Sequence, residues 1–139
     1  MQINPVKFKV PDNVSIVILE VSKELALVYE KFFRSAGLNV IATFNRAEDL
    51  FSGFTSSYNS EIRKSIVLLD YKMPEMDGVT IARRLKELNS SQRIILTTLE
   101  DPSKFSAMRY KLFDAIITRP FTISDLLAAI DEKSIELIS

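Results

Sequence analysis

Apolar residues gather in five short runs along the chain, at residues 15–19, 40–44, 65–69, 93–96 and 115–117. Three of these are nearly unbroken: Ile16-Val17-Ile18-Leu19, Ile66-Val67-Leu68-Leu69 and Ile94-Ile95-Leu96. A strand with one wet face alternates apolar and polar positions. Continuous runs therefore predict strands covered on both faces, as in a parallel sheet. Between the runs the spacing becomes helical. Leu25, Val28, Tyr29, Phe32 and Ala36 form one stripe, with Gly37 placed to stop it. Ala47, Leu50, Phe51 and Phe54 form a second stripe, and Ile81, Ala82, Leu85 and Leu88 a third. Phe105, Met108 and Leu112 make a weaker fourth, with Pro102 suited to its first turn. Ile123, Leu126, Leu127 and Ile130 make the fifth, and Thr122-x-x-Asp125 ahead of it has the form of a capping box. Residues 52–60, SGFTSSYNS, are the most loop-like internal stretch.

Strand then helix, repeated five times, predicts an α/β fold: an open, doubly wound, five-stranded parallel sheet with helices on both faces. Nothing in the sequence splits the chain, so residues 14–139 read as one domain behind an N-terminal extension, residues 1–13. In such sheets the reaction site lies beyond the C-terminal ends of the strands. The residues at those ends are Glu20-Val21 after the first run, Asp70 after the third, Thr97-Thr98 at the fourth and Arg119-Pro120 after the fifth. Acid, acid, hydroxyl and cation would converge on one rim.

Composition narrows the chemistry. The chain has 139 residues, enough to bury a core without disulfide or metal staples. It contains no cysteine and no histidine, which excludes thiol nucleophiles, Cys or His metal sites and His-based triads. Eighteen basic and eighteen acidic residues balance to zero, which argues against nucleic acid as a primary partner. The first eleven residues lack the apolar run of a signal peptide. No segment approaches the roughly 20 apolar residues of a membrane span. A cytoplasmic domain without membrane or nucleic-acid partners is the expectation.

The segment Val67-Leu68-Leu69-Asp70-Tyr71-Lys72-Met73-Pro74-Glu75-Met76-Asp77-Gly78 resembles the phosphoacceptor loop of response-regulator receiver domains, D-x-x-M-P-x-M-D-G. The resemblance extends over residues 14–138, including Thr97-Thr98-Leu99-Glu100-Asp101 and Arg119-Pro120-Phe121. It implies a flavodoxin-like strand order, 2-1-3-4-5, and a cis Arg119–Pro120 bond. It also implies transfer of a phosphoryl group from a partner's phosphohistidine to Asp70. Thr97 and Arg119 would then bind phosphoryl oxygens. Glu20, Asp70 and the backbone carbonyl of Lys72 would hold Mg²⁺. Thr98 is the competing register for the hydroxyl, although the interval from Thr97 to Arg119 is the usual one for the family. Met73-Pro74 and Asp77-Gly78 read as loop architecture rather than chemistry.

Three positions depart from the pattern. Val21 stands where the family carries a second acid, normally the direct metal ligand, so the Mg²⁺ site is expected to be weakened or absent. Arg119 replaces the family's Lys. Its rigid fork is expected to bridge Asp70, or phosphoryl oxygens on it, and so to compensate partly for the missing acid. Ile116 replaces the aromatic residue that swings inward on activation, and Leu112-Phe113 replaces the usual Gly-Ala.

Two functions follow from the resemblance. In the first, a stand-alone receiver, not itself an enzyme, accepts a phosphoryl group from a histidine kinase or phosphotransfer protein. It then engages a target protein through residues 105–130, as a monomer or weak homodimer. In the second, Val21 marks an atypical receiver that signals by contact without phosphorylation. A flavodoxin-like cofactor protein would share the architecture. However, Val21-Ser22-Lys23-Glu24-Leu25 lacks the glycines or hydroxyl cluster of a phosphate cradle.

Overall fold

The computed structural model describes residues 14–56 and 60–130. The proposed extension, residues 1–13, and the last stretch of the proposed domain lie outside the described residues. Five parallel strands, β1 (Ser15–Leu19), β2 (Asn39–Phe44), β3 (Ile66–Asp70), β4 (Arg93–Thr98) and β5 (Ala115–Thr118), form one sheet in the order β2-β1-β3-β4-β5. This is the expected doubly wound architecture. Helices α1 (Lys23–Ser35), α2 (Ala47–Thr55), α3 (Ser60–Lys64), α4 (Gly78–Leu88), α5 (Arg109–Leu112) and α6 (Ile123–Ile130) connect or flank the strands. Among the described residues, no helix is long and apolar enough to cross a membrane.

The unbroken apolar runs supply both faces of the sheet, because successive side chains on a strand point to opposite sides. Ile16, Ile18, Ile66, Leu68 and Ile95 pack with Phe33 of α1 and with Leu126 and Ile130 of α6. Val17, Leu19, Val67, Leu69, Ile94 and Leu96 pack with Leu50 and Phe54 of α2 and with Ile81 and Leu85 of α4. The central strands β1 and β3 are buried almost throughout, and this fixes the level of their C-terminal ends.

Local signals set the helix starts. Ser22 caps α1 by accepting the Leu25 N–H at 3.1 Å. Asp77 caps α4 by accepting the Thr80 N–H at 2.9 Å. Thr122 and Asp125 exchange hydrogen bonds of 2.9 and 3.0 Å, the reciprocal capping box expected from their spacing. Gly37 follows α1 with φ 91°, a left-handed conformation that glycine adopts without steric cost.

Two stretches differ from the expected pattern. Of the stretch that looks loop-like by composition, residues 52–55 continue α2 with Phe54 buried, Ser60 begins α3, and residues 57–59 lie outside the described residues. The weak fourth stripe is divided into a 3-10 turn, Pro102–Phe105, and the four-residue α5. Asp101 caps the turn through the Ser103 N–H, and Phe105 is its buried residue. One apolar anchor per turn does not sustain a single longer helix.

Candidate functional site

The C-terminal ends of β1, β3, β4 and β5 meet on one rim, and the sheet holds each functional residue by its backbone. Glu20 follows β1. Its N–H donates to the Phe44 carbonyl at 3.0 Å and its carbonyl accepts from Asn45 Nδ2 at 2.9 Å. Asp70 is the last residue of β3 and lies in register with Thr97 of β4. The Tyr71 N–H donates to the Thr97 carbonyl at 2.9 Å, which ties the loop after Asp70 to β4. Arg119 follows β5, donates its N–H to the Thr98 carbonyl at 2.8 Å and precedes Pro120 through a cis peptide bond.

Arg119 joins the two acids. Its Nη1 donates to Glu20 Oε1 at 3.1 Å, and its Nη2 lies 3.5 Å from Asp70 Oδ2. The expected bridge from the guanidinium to Asp70 is thus formed, and it extends to Glu20. The remaining carboxylate oxygens are also engaged. Glu20 Oε2 accepts the Ser22 N–H at 3.0 Å, and Asp70 Oδ1 accepts the Lys72 N–H at 3.3 Å. Lys72 therefore reaches Asp70 through its amide.

Burial and charge compete at these groups. Asp70 is only 6% exposed, and desolvation raises its pKa above the ordinary 3.8. The charge of Arg119, the amides of Lys72 and Tyr71 and the charge of Lys72 oppose that rise. For Arg119, burial disfavours the cation, yet Tyr29, Asp70 and Glu20 together hold its pKa above the usual range. The guanidinium is a permanent charge in this site. Tyr29 of α1 is the participant that sequence spacing hides. Its ring packs against Phe33 and Phe121 as core, while its phenol senses Arg119, Glu20 and Asp70. Burial raises the Tyr29 pKa, against the lowering influence of Arg119.

The two adjacent threonines divide their roles. Thr97 is buried and donates its hydroxyl to the Leu69 carbonyl at 3.4 Å. Thr98, Asp70, Tyr71, Lys72, Glu100 and Arg119 are among the residues lining a cavity of about 20 Å³. Thr98 Oγ1 accepts the Glu100 N–H at 2.9 Å. The structure therefore lines this cavity with Thr98 rather than Thr97, the residue favoured by the sequence interval. Neighbouring strand residues face opposite sides, so only one of the pair can do so readily.

The donor set falls short of a divalent-cation site. Val21, 41% exposed, lines a mainly apolar cleft of about 240 Å³ with Ala47, Met73, Pro74 and Met76, and with Asn45, Arg46 and Glu75 at its polar positions. Among the described residues no three His, Cys, Asp or Glu side chains cluster to hold a metal. Mg²⁺ needs an octahedral set of oxygens and usually takes one or two carboxylates with waters. Here both available carboxylates are already bound to a guanidinium and to backbone amides. As arranged, the residues do not fit the ion.

Aromatic contacts fix the loop beyond Asp70. Tyr71 meets Phe105 edge-on with centroids 4.8 Å apart, and Lys104 Nζ lies 5.1 Å over the Tyr71 ring. At Gly78, a Cβ would stand 2.7 Å from Leu69 Cδ1, 2.7 Å from Leu96 Cδ1 and 2.9 Å from Tyr71 Cα. The Asp77-Gly78 pair is architectural, as expected: Asp77 caps α4 and Gly78 lets it approach β3 and β4.

Comparisons with known proteins agree with this fold. The chain is 32% identical over 117 residues to the uncharacterized transcriptional regulatory protein YkoG of Bacillus subtilis, covering 83% of this chain and 48% of that protein. It is 28% identical over 116 residues to the response regulator ArlR of Staphylococcus aureus, covering 83% of this chain and 50% of ArlR. The chain thus spans about half the length of these curated relatives. In fold it is similar to a receiver domain protein from Clostridium thermocellum (TM-score 0.74, 22% identity, 91% of this chain and 99% of that one). It is likewise similar to a chain of the CheX-CheY-BeF3-Mg²⁺ complex of Borrelia burgdorferi (TM-score 0.73, 22% identity, 90% of each chain). A family model described as the response regulator receiver domain matches residues 16–131, and the chain belongs to that family.

Proposed function

We propose that this receiver takes a phosphoryl group onto Asp70 from the phosphohistidine of a histidine kinase or phosphotransfer protein. It then signals to a target protein through residues 105–130, as substrate and switch rather than enzyme, in the cytoplasm. The observation that supports this most is the convergence of Asp70, Arg119 and Thr98 on one cavity at the sheet's C-terminal edge. A carboxylate can attack phosphorus there, with a cation and a hydroxyl beside it. The Asp70 oxygen forms the new bond to phosphorus as the phosphorus–nitrogen bond to the imidazole breaks. The imidazole leaves neutral when its other nitrogen carries the proton. Such transfer needs positioning and charge stabilisation more than covalent work by the protein. Incubation with a small acyl-phosphate donor and measurement of intact mass tests the reading. Wild type should gain one phosphoryl group and Asp70→Ala none.

A second reading, contact signalling without phosphorylation, is favoured by one specific observation. The cavity beside Asp70 is only about 20 Å³, room for roughly one water rather than a phosphoryl group. Acceptance therefore requires Arg119 or the loop at Leu99 and Glu100 to yield. Absence of any mass gain on wild type would select this second reading.

A further inference from the structure

We propose that this receiver's site works without a divalent cation, because Arg119 occupies the electrostatic position such an ion would serve. That the site binds no metal stands on geometry alone; that transfer proceeds there rests on the phosphoacceptor reading above. A metal ion at the rim would neutralise the acids of β1 and β3 and draw phosphoryl oxygens toward Asp70. One side chain is already placed for both tasks. Arg119 contacts Glu20 at 3.1 Å and Asp70 at 3.5 Å with separate nitrogens, and it is only partly exposed.

Three features close the site to a competing ion. Three of the four carboxylate oxygens of Glu20 and Asp70 already accept an N–H, and the fourth, Asp70 Oδ2, is ion-paired to Arg119 at 3.5 Å. The position beside Glu20 that could add a third acid is Val21, whose side chain has no donor atom, and among the described residues no three acids cluster to hold an ion. Guanidinium is also less strongly hydrated than an ammonium and cannot deprotonate here, so its charge persists in a partly buried site.

The arrangement also allows the cation to serve before and after transfer. Before transfer, Nη2 faces Asp70 Oδ2 while Nη1 is anchored on Glu20. When an Asp70 oxygen bonds to phosphorus and the phosphorus–nitrogen bond to the donor breaks, negative charge moves outward onto the phosphoryl oxygens. Nη2 can follow it to a phosphoryl oxygen while Nη1 keeps its hold on Glu20. A guanidinium suits this task because its fork matches phosphate oxygens as well as carboxylates. Glu20 is thereby a positioning residue for Arg119.

Two measurements test the proposal, and they fail independently. In the first, free Mn²⁺ is followed by electron paramagnetic resonance during titration of wild type, Asp70→Asn and the double variant Val21→Asp/Arg119→Lys. Wild type should show no low-millimolar binding that Asp70→Asn removes, and the double variant should bind at least about tenfold more tightly. Low-millimolar binding by wild type that is lost in Asp70→Asn overturns the proposal. In the second, phosphoryl gain from the small donor is measured by mass with a chelator and with Mg²⁺. Yields on wild type should agree within about twofold. Gain that disappears with the chelator overturns the proposal. No gain in either condition overturns transfer to Asp70, and the Mn²⁺ titration still decides whether the site is metal-free.

Discussion

Arg119 Nη1 meets Glu20 Oε1 at 3.1 Å, although ninety-nine positions separate the two residues in the chain. The contact ties the end of β5 to the end of β1 across β3 and β4, with Asp70 on the other guanidinium nitrogen. Removing Arg119 would leave the buried carboxylates of Glu20 and Asp70 without the guanidinium they share. Breaking a buried pair from one side costs several kcal/mol, mostly as uncompensated desolvation. We expect Arg119→Ala to lose about 3 kcal/mol in urea unfolding at neutral pH. Adding Glu20→Gln should recover part of that loss. A loss under about 0.5 kcal/mol, the scale of an exposed pair, would show that the pair contributes nothing beyond a surface contact.

Asp70 gives the site a distinct pH signature. Burial raises its folded pKa above the ordinary 3.8, with Arg119 and nearby amides opposing but not cancelling the rise. Between the ordinary and the raised value, the folded state binds more protons at this group than the unfolded state does. Stability from this group is therefore greatest below the ordinary value and declines as pH rises through the window. We expect Asp70→Asn to gain stability relative to wild type as pH rises through that window toward neutrality. The gain should vanish below the ordinary carboxylate range. The difference between the two proteins isolates this group from the other carboxylates, and denaturant midpoints at several pH values would measure it. A difference that grows toward acid would reverse the assigned direction.

How far the sequence could be read depended on which physical signal each feature leaves. Unbroken apolar runs at 16–19, 66–69 and 94–96 revealed strands with two covered faces, because burial on both sides removes alternation. Strand order is not a periodicity, so it came from the resemblance of the Asp70 segment. The Arg119 bridge to Asp70 was legible from chemistry, since a guanidinium differs from an ammonium in reach and fork geometry. Its second partner, Glu20, depends on how the sheet brings β1 and β5 together, which no local pattern records. Tyr29 was hidden because its ring spacing is that of core and only its hydroxyl end meets the site. The interval to Arg119 favoured Thr97 over Thr98, but an interval along the chain does not say which way a strand-end side chain points.

Gly78 sets a steric limit under the phosphoacceptor loop. A methyl group there would come within 2.9 Å of the Tyr71 Cα, and backbone cannot move aside as a side-chain tip can. Alanine has the better helix propensity by about 1 kcal/mol, yet overpacking of this kind costs about 1–3 kcal/mol. The clash should win. We expect Gly78→Ala to destabilise by up to about 2 kcal/mol in urea unfolding. Displacement of Tyr71 should also lower mass gain from the donor at a fixed time. An alanine variant as stable as wild type would mean that α4 has more room than these distances give.

Thr122 and Asp125 offer a test that touches no site residue. Each side chain accepts the other's backbone N–H, at 3.0 and 2.9 Å, at the start of α6. Thr122→Ala leaves an amide of the first turn without its partner, for a cost of about 1 kcal/mol. Phosphoryl gain should stay at the wild-type level. A loss of gain equal to that of a site variant would tie α6 docking to the chemistry of the rim.

Paired valine substitutions resolve the two threonines, since valine keeps the branched shape and removes only the hydroxyl. Thr97→Val deletes a long hydrogen bond to the Leu69 carbonyl, so we expect a loss of about 1 kcal/mol in stability and little change in phosphoryl gain. Thr98→Val deletes both the acceptor of the Glu100 N–H and the threonine hydroxyl among the residues that line the Asp70 cavity. A hydrogen bond to a charged group contributes roughly 1.5–3 kcal/mol. Losing one from the transfer state should slow acceptance by about tenfold or more. The initial rate of mass gain, at donor concentrations well below saturation, separates these outcomes. If Thr97→Val slows acceptance while Thr98→Val leaves it unchanged, the hydroxyl role belongs to Thr97, and the end of β4 must rotate when the donor binds.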